Sequence, residues 1–284
     1  MSTTWTSDVP PPMPAVGPLG WVRALLRGGV LGLVTYGGLM LMLLVRLIER
    51  PLCGLHRPIT PWITLGVCRA AFLILGMRLR VIGTPMRSPG ALVANHASWL
   101  DIFALNALER VYFVAKSEVA GWPGIGWLAR ATGTVFINRS GREARAQTLL
   151  FEARLRAGHR LVFFPEGTST DGLRVLPFKT TLFAAFFAHG LDTVLHVQPV
   201  TIRYHAPHGM DARFYGWWGT MTFGGHLLRV LAQRRHGRAE VVFHDPVPVR
   251  DFGGRKALAS HCEAQVRAGL ADGAAQAAQG TAPG

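Results

Sequence analysis

Charge is scarce in this chain of 284 residues, at 16% Asp, Glu, Lys and Arg against about 25% in an ordinary soluble domain. Acidic residues are scarcer still: 16 against 30 basic ones, for a formal net charge of +14. Half of the chain (49%) is apolar, so a sizeable core is easily built and disorder over most of the length is excluded. Cysteine is nearly absent. Cys53, Cys68 and Cys262 are odd in number and widely spaced, with no Cys-x-x-Cys pair. That pattern excludes a disulfide framework and a zinc ribbon and suits reduced, inert thiols. Neither Gly-x-Ser-x-Gly nor His-Glu-x-x-His occurs, which removes the serine-elbow hydrolases and the common zinc hydrolases. No internal repeat is visible. A basic, apolar chain suits an anionic surface. Long uncharged runs favour a membrane over nucleic acid, and no nucleic-acid-binding motif is present.

The longest such run is Gly28 to Val45, GGVLGLVTYGGLMLMLLV, flanked by Arg23 and Arg27 before and by Arg46 and Arg50 after. Eighteen uncharged residues sit at the lower limit for a bilayer span. The run begins late and no small-residue cleavage site follows it, which argues against a secretory signal. A second stretch, Thr60 to Met77, is interrupted by Arg69, and Pro51 and Pro58 fall between the two where a turn is needed. Two apolar helices joined by a basic turn can span a bilayer as a hairpin or lie partly embedded. Arg at both ends leaves the orientation open. The Pro-rich stretch 1–18 reads as a flexible leader and 19–77 as a membrane-associating pair of helices.

From residue 78 the pattern changes. Short β-branched or aromatic runs at 79–83, 91–95, 111–115, 134–138, 160–165, 194–204 and 239–244 alternate with helix-like stretches. Several runs are apolar throughout, as in a sheet covered on both faces. The expected fold is α/β, a single mixed or largely parallel sheet flanked by helices, over residues 78–267. One predicted helix, Arg142 to Ala157, places Ala146, Leu150, Ala153 and Ala157 on one face. The Ala-, Gly- and Gln-rich stretch 268–284 reads as a flexible tail.

Reactive groups in such folds lie beyond the carboxyl ends of strands, and three predicted strand ends carry polar residues. The first reads Asn95-His96-Ala97-Ser98-Trp99-Leu100-Asp101. Five residues do not bring His and Asp onto one helical face. With His96 still in the loop and Asp101 in the first helical turn, however, the carboxylate reaches back to the imidazole, as in a catalytic triad. With no serine elbow, such a base suits a nucleophile brought by the substrate, for example an alcohol. The alternative is a His at a helix start with an ordinary first-turn acid. The second end is Phe164-Pro165-Glu166-Gly167-Thr168-Ser169, which sets a carboxylate on a sharp turn. The third is Phe136-Ile137-Asn138-Arg139, whose guanidinium can hold a phosphate or carboxylate. Lys179 offers a second cation, although a surface Arg or Lys with no such task is the common case.

In order, Asn-His-x-Ser-x-x-Asp, Phe-Ile-Asn-Arg, Phe-Pro-Glu-Gly-Thr-x-Ser and Val197-Gln198-Pro199-Val200 resemble the glycerophospholipid acyltransferase family, and within it the 1-acylglycerol-3-phosphate acyltransferases. The resemblance covers about residues 75–205. It implies that His96 is the general base toward the acceptor hydroxyl and that Asp101 orients it. It also implies that Asn95, Ser98, Glu166, Gly167 and Thr168 help to seat the acceptor, and that Arg139 and Lys179 hold its phosphate. The acyl donor would be acyl-CoA or acyl carrier protein, with no metal and no bound cofactor. The enzyme would sit in the cytoplasmic membrane with its site facing the cytoplasm. Asn138 stands where many members have Asp, and Thr180 and Thr181 follow Lys179 where many have Lys-x-Gly. The head group is therefore open. The segment Ser169 to Lys179 also resembles bacterial acylators of lyso-ornithine lipid, whose carboxylate could use the same cations. Lysophosphatidic acid is the favoured acceptor at this stage and lyso-ornithine lipid the alternative. A non-catalytic protein that binds anionic lipid, and a metal site at His205, His208 and Asp211, are the readings from other classes.

Overall fold

A computed structural model describes residues 4–7, 9, 11, 15–137, 144–188 and 190–279. Helix α1 (Pro18–Cys53) is 36 residues long, about 54 Å at 1.5 Å per residue. It begins well before the uncharged run and continues beyond it. Pro51 lies inside its last turn rather than in the connection, because Gly54 N still reaches the Arg50 carbonyl at 2.9 Å and closes the helix. Within its most apolar stretch only 17% of the residues are buried, and Leu25, Leu33, Leu47 and Leu52 are all at least 70% exposed. A soluble core helix would hide them; this one is long and apolar enough to cross a bilayer.

Helix α2 (Thr60–Leu75) starts with Pro61 in its first turn and ends on Gly76 in the left-handed region, φ +67°. It lies so close to α1 that a Cβ on Gly38 would stand 2.4 Å from Val67 Cγ2. Glu49, buried at the connection, accepts from the backbone N–H groups of Ile59 and Thr60 and from the Thr60 hydroxyl. Arg69, the charge that interrupts the second run, is accommodated because its Nε donates to the Ala107 carbonyl at 2.8 Å.

The strands are β1 (Arg78–Ile82), β2 (Gly90–Ala94), β3 (Tyr112–Lys116), β4 (Val135–Ile137), β5 (Leu161–Phe163), β6 (His196–His205), β7 (Arg238–Phe243) and β8 (Val247–Pro248). They form one mixed sheet in the order β1-β7-β6-β2-β5-β3-β4, with β8 beside β6. Only the β6–β7 and β6–β8 pairs are antiparallel. The two-residue β8 escaped the sequence pattern because it is too short to show a period. Along β2, Leu92 and Ala94 belong to one core and Ala91 and Val93 to the other. This is the period-two alternation of a strand covered on both faces.

The remaining helices are α3 (Leu100–Leu108), α4 (Ile125–Thr132), α5 (Ala144–Arg156), α6 (Phe223–Ala232) and α7 (Arg255–Gln279). Two expectations are corrected here. Among the described side chains of α5, Phe151, Arg154 and Leu155 are buried, whereas Leu150 and Ala153 are exposed; Ala146 lies outside the described side chains. The large aromatic, not the alanines, decides which face turns inward. The stretch expected to form a flexible tail is helical through Gln279. Alanine is the strongest helix former, and β6 grips the helix through Thr201 Oγ1 to the Val266 carbonyl and Arg203 Nη1 to the Gly269 carbonyl. Part of the Pro-rich leader is also seated: Trp5 N donates to Thr168 Oγ1, and its ring lies 6.0 Å from that of Trp218.

Candidate active site

The chain leaves the sheet at the end of β2 through Asn95. Its fully buried amide donates to the Ile202 carbonyl and accepts from the Ile202 N–H, at 2.9 and 2.8 Å. This two-point clamp on β6 fixes where the next residue emerges. His96 is in the loop, and α3 begins four residues later. Asp101, in the first turn of α3, is fully buried, and its Oδ2 lies 2.7 Å from His96 Nδ1. The same oxygen accepts from the N–H groups of Ala97 and Ser98 at 2.8 and 3.0 Å. Its other oxygen accepts from the Tyr204 hydroxyl at 2.7 Å. A carboxylate held by four donors cannot turn. It requires Nδ1 to carry the imidazole proton, which leaves Nε2 as the free, basic nitrogen.

The imidazole face rests on Phe164, with ring centroids 4.1 Å apart and planes within 11°. His96 keeps 19% of its side chain exposed while Asp101 is sealed beneath it. The loop is closed from above by Trp217 N donating to the Ala97 carbonyl and Thr170 N donating to the His96 carbonyl.

Glu166 lies directly against the His96 loop. It is 1% exposed. Its Oε1 accepts from His96 N at 2.7 Å and its Oε2 from Leu176 N at 2.8 Å. Through these two backbone contacts Glu166 ties the His96 loop to the segment at Leu176. Burial pushes its pKa up to about 8, against the opposing pull of the Leu176 and His96 N–H groups. Glu166 thus holds its proton more tightly folded than unfolded. Its contribution is whole below the ordinary value of 4.5 and is lost as pH rises through about 8. The melting temperature in detergent micelles is expected to fall between pH 5 and 8, with a flatter profile for Glu166→Gln. Equal slopes for the two proteins would remove Glu166 as the cause.

Gly167 has φ +70°, and a Cβ there would stand 2.6 Å from Lys179 Nζ. The glycine is what lets the ammonium lie against this turn, and Lys179 N is tied to the Pro165 carbonyl at 3.0 Å. Thr168 accepts from Trp5 N at 3.2 Å. Ser98 is fully buried with its Oγ unpaired, and Asn95, equally buried, is held by Ile202. Arg139 lies outside the described residues. Among the described residues no group of three His, Cys, Asp or Glu is gathered as a metal site. His205 faces Glu240, and Asp211 pairs with Arg213. Sequence reasoning missed Tyr204, Phe164 as a stacking partner, and the backbone groups of Thr170, Leu176 and Trp217. None of these carries a local signature.

Residues 78–203 match the family described as Acyltransferase. Over 266 residues the chain is 62% identical to a lyso-ornithine lipid O-acyltransferase of Rhodobacter capsulatus, covering 94% of this chain and 96% of that one. Over 151 residues it is 39% identical to a 1-acyl-sn-glycerol-3-phosphate acyltransferase of Neisseria gonorrhoeae, covering 52% of this chain and 56% of that one. The crystal structure of a 1-acyl-sn-glycerophosphate acyltransferase from Thermotoga maritima has the same fold, with a TM-score of 0.61 at 23% identity over 88% of this chain and 94% of that one.

Proposed function

This chain belongs to the acyltransferase family, and on that premise we propose that it moves a fatty acyl group from a thioester to the free hydroxyl of a lyso-ornithine lipid. The observation that carries the acceptor is the 62% identity along almost the whole of both chains to an enzyme named for that substrate. The likeness to a 1-acylglycerol-3-phosphate enzyme spans about half of each chain, which makes lysophosphatidic acid, favoured by the motifs alone, the second reading. The two acceptors place different anions near the same cations. Ornithine offers a carboxylate, which an ammonium such as that of Lys179 pairs with as readily as with a phosphate.

The His96–Asp101 geometry supports a direct transfer. Nε2 of His96 takes the proton of the acceptor hydroxyl as its oxygen attacks the thioester carbonyl. Asp101 stabilises the resulting imidazolium. The tetrahedral adduct then collapses, the C–S bond breaks, and the departing thiolate recovers the proton from Nε2 as a thiol. No protein nucleophile is required, and the serine nearest the base, Ser98, is sealed away. The donor is acyl-CoA or acyl carrier protein. The exposed apolar surface of α1 supports placement in the cytoplasmic membrane, with the site facing the cytoplasm where such thioesters are made.

Purified protein in micelles, given one acyl donor and either acceptor, tests the head group. Turnover of lyso-ornithine lipid is expected to exceed that of lysophosphatidic acid by about tenfold or more. The reverse preference would restore the phosphate acceptor while keeping the chemistry.

A further inference from the structure

A second cluster, of two guanidinium groups and an imidazole, lies at the opposite end of the strands from His96. His159 comes two residues before β5 and Phe164 directly after it, a separation of about 16 Å along an extended chain. Tyr112, which opens β3, has three cationic or basic neighbours. The Arg154 guanidinium lies 4.6 Å from its ring centroid, Arg57 lies 5.9 Å away, and the His159 ring stacks at 4.3 Å. Arg154 is 7% and His159 4% exposed.

Their hydrogen bonds are incomplete. Arg57 donates to the Ala131 carbonyl and Arg154 Nη2 to the Gly133 carbonyl, both at 2.8 Å. Arg154 Nε has no partner, and the His159 ring has only a weak contact to the Leu55 backbone. The acids nearby are engaged elsewhere: Glu49 with Arg46 and the helix connection, Glu109 with Arg160, and Glu152 with Arg156. Among the described residues, no carboxylate pairs with Arg57 or Arg154. A buried guanidinium such as that of Arg154 is costly without a counter-ion. Burial and the neighbouring guanidinium already pull Arg154 down to about 10. An anion would remove that penalty.

The cluster sits where the apolar run of α1 gives way to Arg46 and Arg50, on the far side of the helix connection. Trp62, 54% exposed, lies beside it with the Arg110 guanidinium 4.5 Å over its ring. Exposed Trp and Arg at the end of an apolar helix mark the head-group layer of a bilayer. We propose that Arg57, Arg154 and His159 bind the phosphate group of an anionic phospholipid head group, locking the membrane helices to the catalytic sheet. The adjoining recess, between Arg57, Thr60, Asn106, Arg110, Tyr112 and Thr132, holds about 10 Å³, room for one water. Arg57, half-buried on the connection, must therefore swing from the Ala131 carbonyl to admit the phosphate.

The lipid source rests on α1 lying in the membrane, as proposed above; the cluster itself does not. The full chain would be placed in nanodiscs of phosphatidylcholine alone or with phosphatidylglycerol, and its thermal unfolding followed. Phosphatidylglycerol is expected to raise the melting temperature by about 5 °C. Arg57→Gln and Arg154→Gln should each abolish that rise, whereas Arg50→Gln, which removes one exposed cation nearby, should keep it. Should Arg154→Gln fail to fold, Arg57→Gln carries the test. An undiminished rise in Arg57→Gln means that general charge attraction is responsible and overturns the proposal. An equal rise from inorganic phosphate in phosphatidylcholine discs assigns the cluster to free phosphate and overturns the lipid source. Failure of the wild type to enter discs removes the membrane placement and the lipid source together, without touching acyl transfer in micelles.

Discussion

His96→Ala is expected to lower turnover by about 10²–10⁴, the usual worth of general acid–base assistance, while the protein stays folded. The side chain is partly exposed and its removal leaves no buried donor stranded. Asp101 Oδ2 keeps the N–H groups of Ala97 and Ser98, and Oδ1 keeps the Tyr204 hydroxyl. What is lost is the nitrogen that the proposed mechanism assigns to the acceptor proton, together with the stacking contact on Phe164. KM for the acceptor should move little, since the proposed mechanism has His96 act on the reacting hydroxyl and not on the head group. A mutant with near wild-type turnover would remove His96 from the chemistry. One that unfolds would show the residue to be structural.

Asp101→Ala should behave differently, losing stability as well as activity. Four buried donors converge on that carboxylate: His96 Nδ1, the N–H groups of Ala97 and Ser98, and the Tyr204 hydroxyl. Each donor left unpaired costs about 1–3 kcal/mol, so their sum rivals the whole stability of a typical domain, about 5–15 kcal/mol. The expected result is a melting temperature lowered by roughly 10 °C or more, or no soluble folded protein at all. Tyr204→Phe removes one donor and keeps the His–Asp contact, so it should cost far less on both counts. If Asp101→Ala melted like the wild type, the carboxylate would not be the keystone of this loop.

The His96–Asp101 contact was legible because its parts are close in sequence. Five residues separate His96 from Asp101, and a strand-to-helix turn is enough to make them meet. The sheet was legible for a similar reason: β2 and β5 are buried on both faces and read as short apolar runs. Tyr204, which completes the Asp101 carboxylate, comes from β6, 103 residues away, and nothing in its neighbours marks it. Glu166 was legible as a special residue, but its partners in the fold were not. Its partners are the N–H groups of His96 and Leu176, and backbone donors leave no trace in a sequence. The helical Ala-rich end of α7 was misread because its composition resembles a loose tail. The contacts that hold α7 at Val266 and Gly269, from Thr201 and Arg203, come from a strand more than 50 residues earlier. The acceptor was the least legible feature, since ornithine carboxylate and glycerol phosphate ask for the same cations.

The most direct test follows the acyl group itself. Wild-type protein in micelles would receive a labelled acyl thioester and lyso-ornithine lipid, and label would be sought in the lipid and on the denatured protein. Label in the acylated ornithine lipid, with none held on the protein before acceptor is added, is the result expected of direct transfer assisted by His96. Label fixed to the protein, or no labelled ornithine lipid at all, would contradict it.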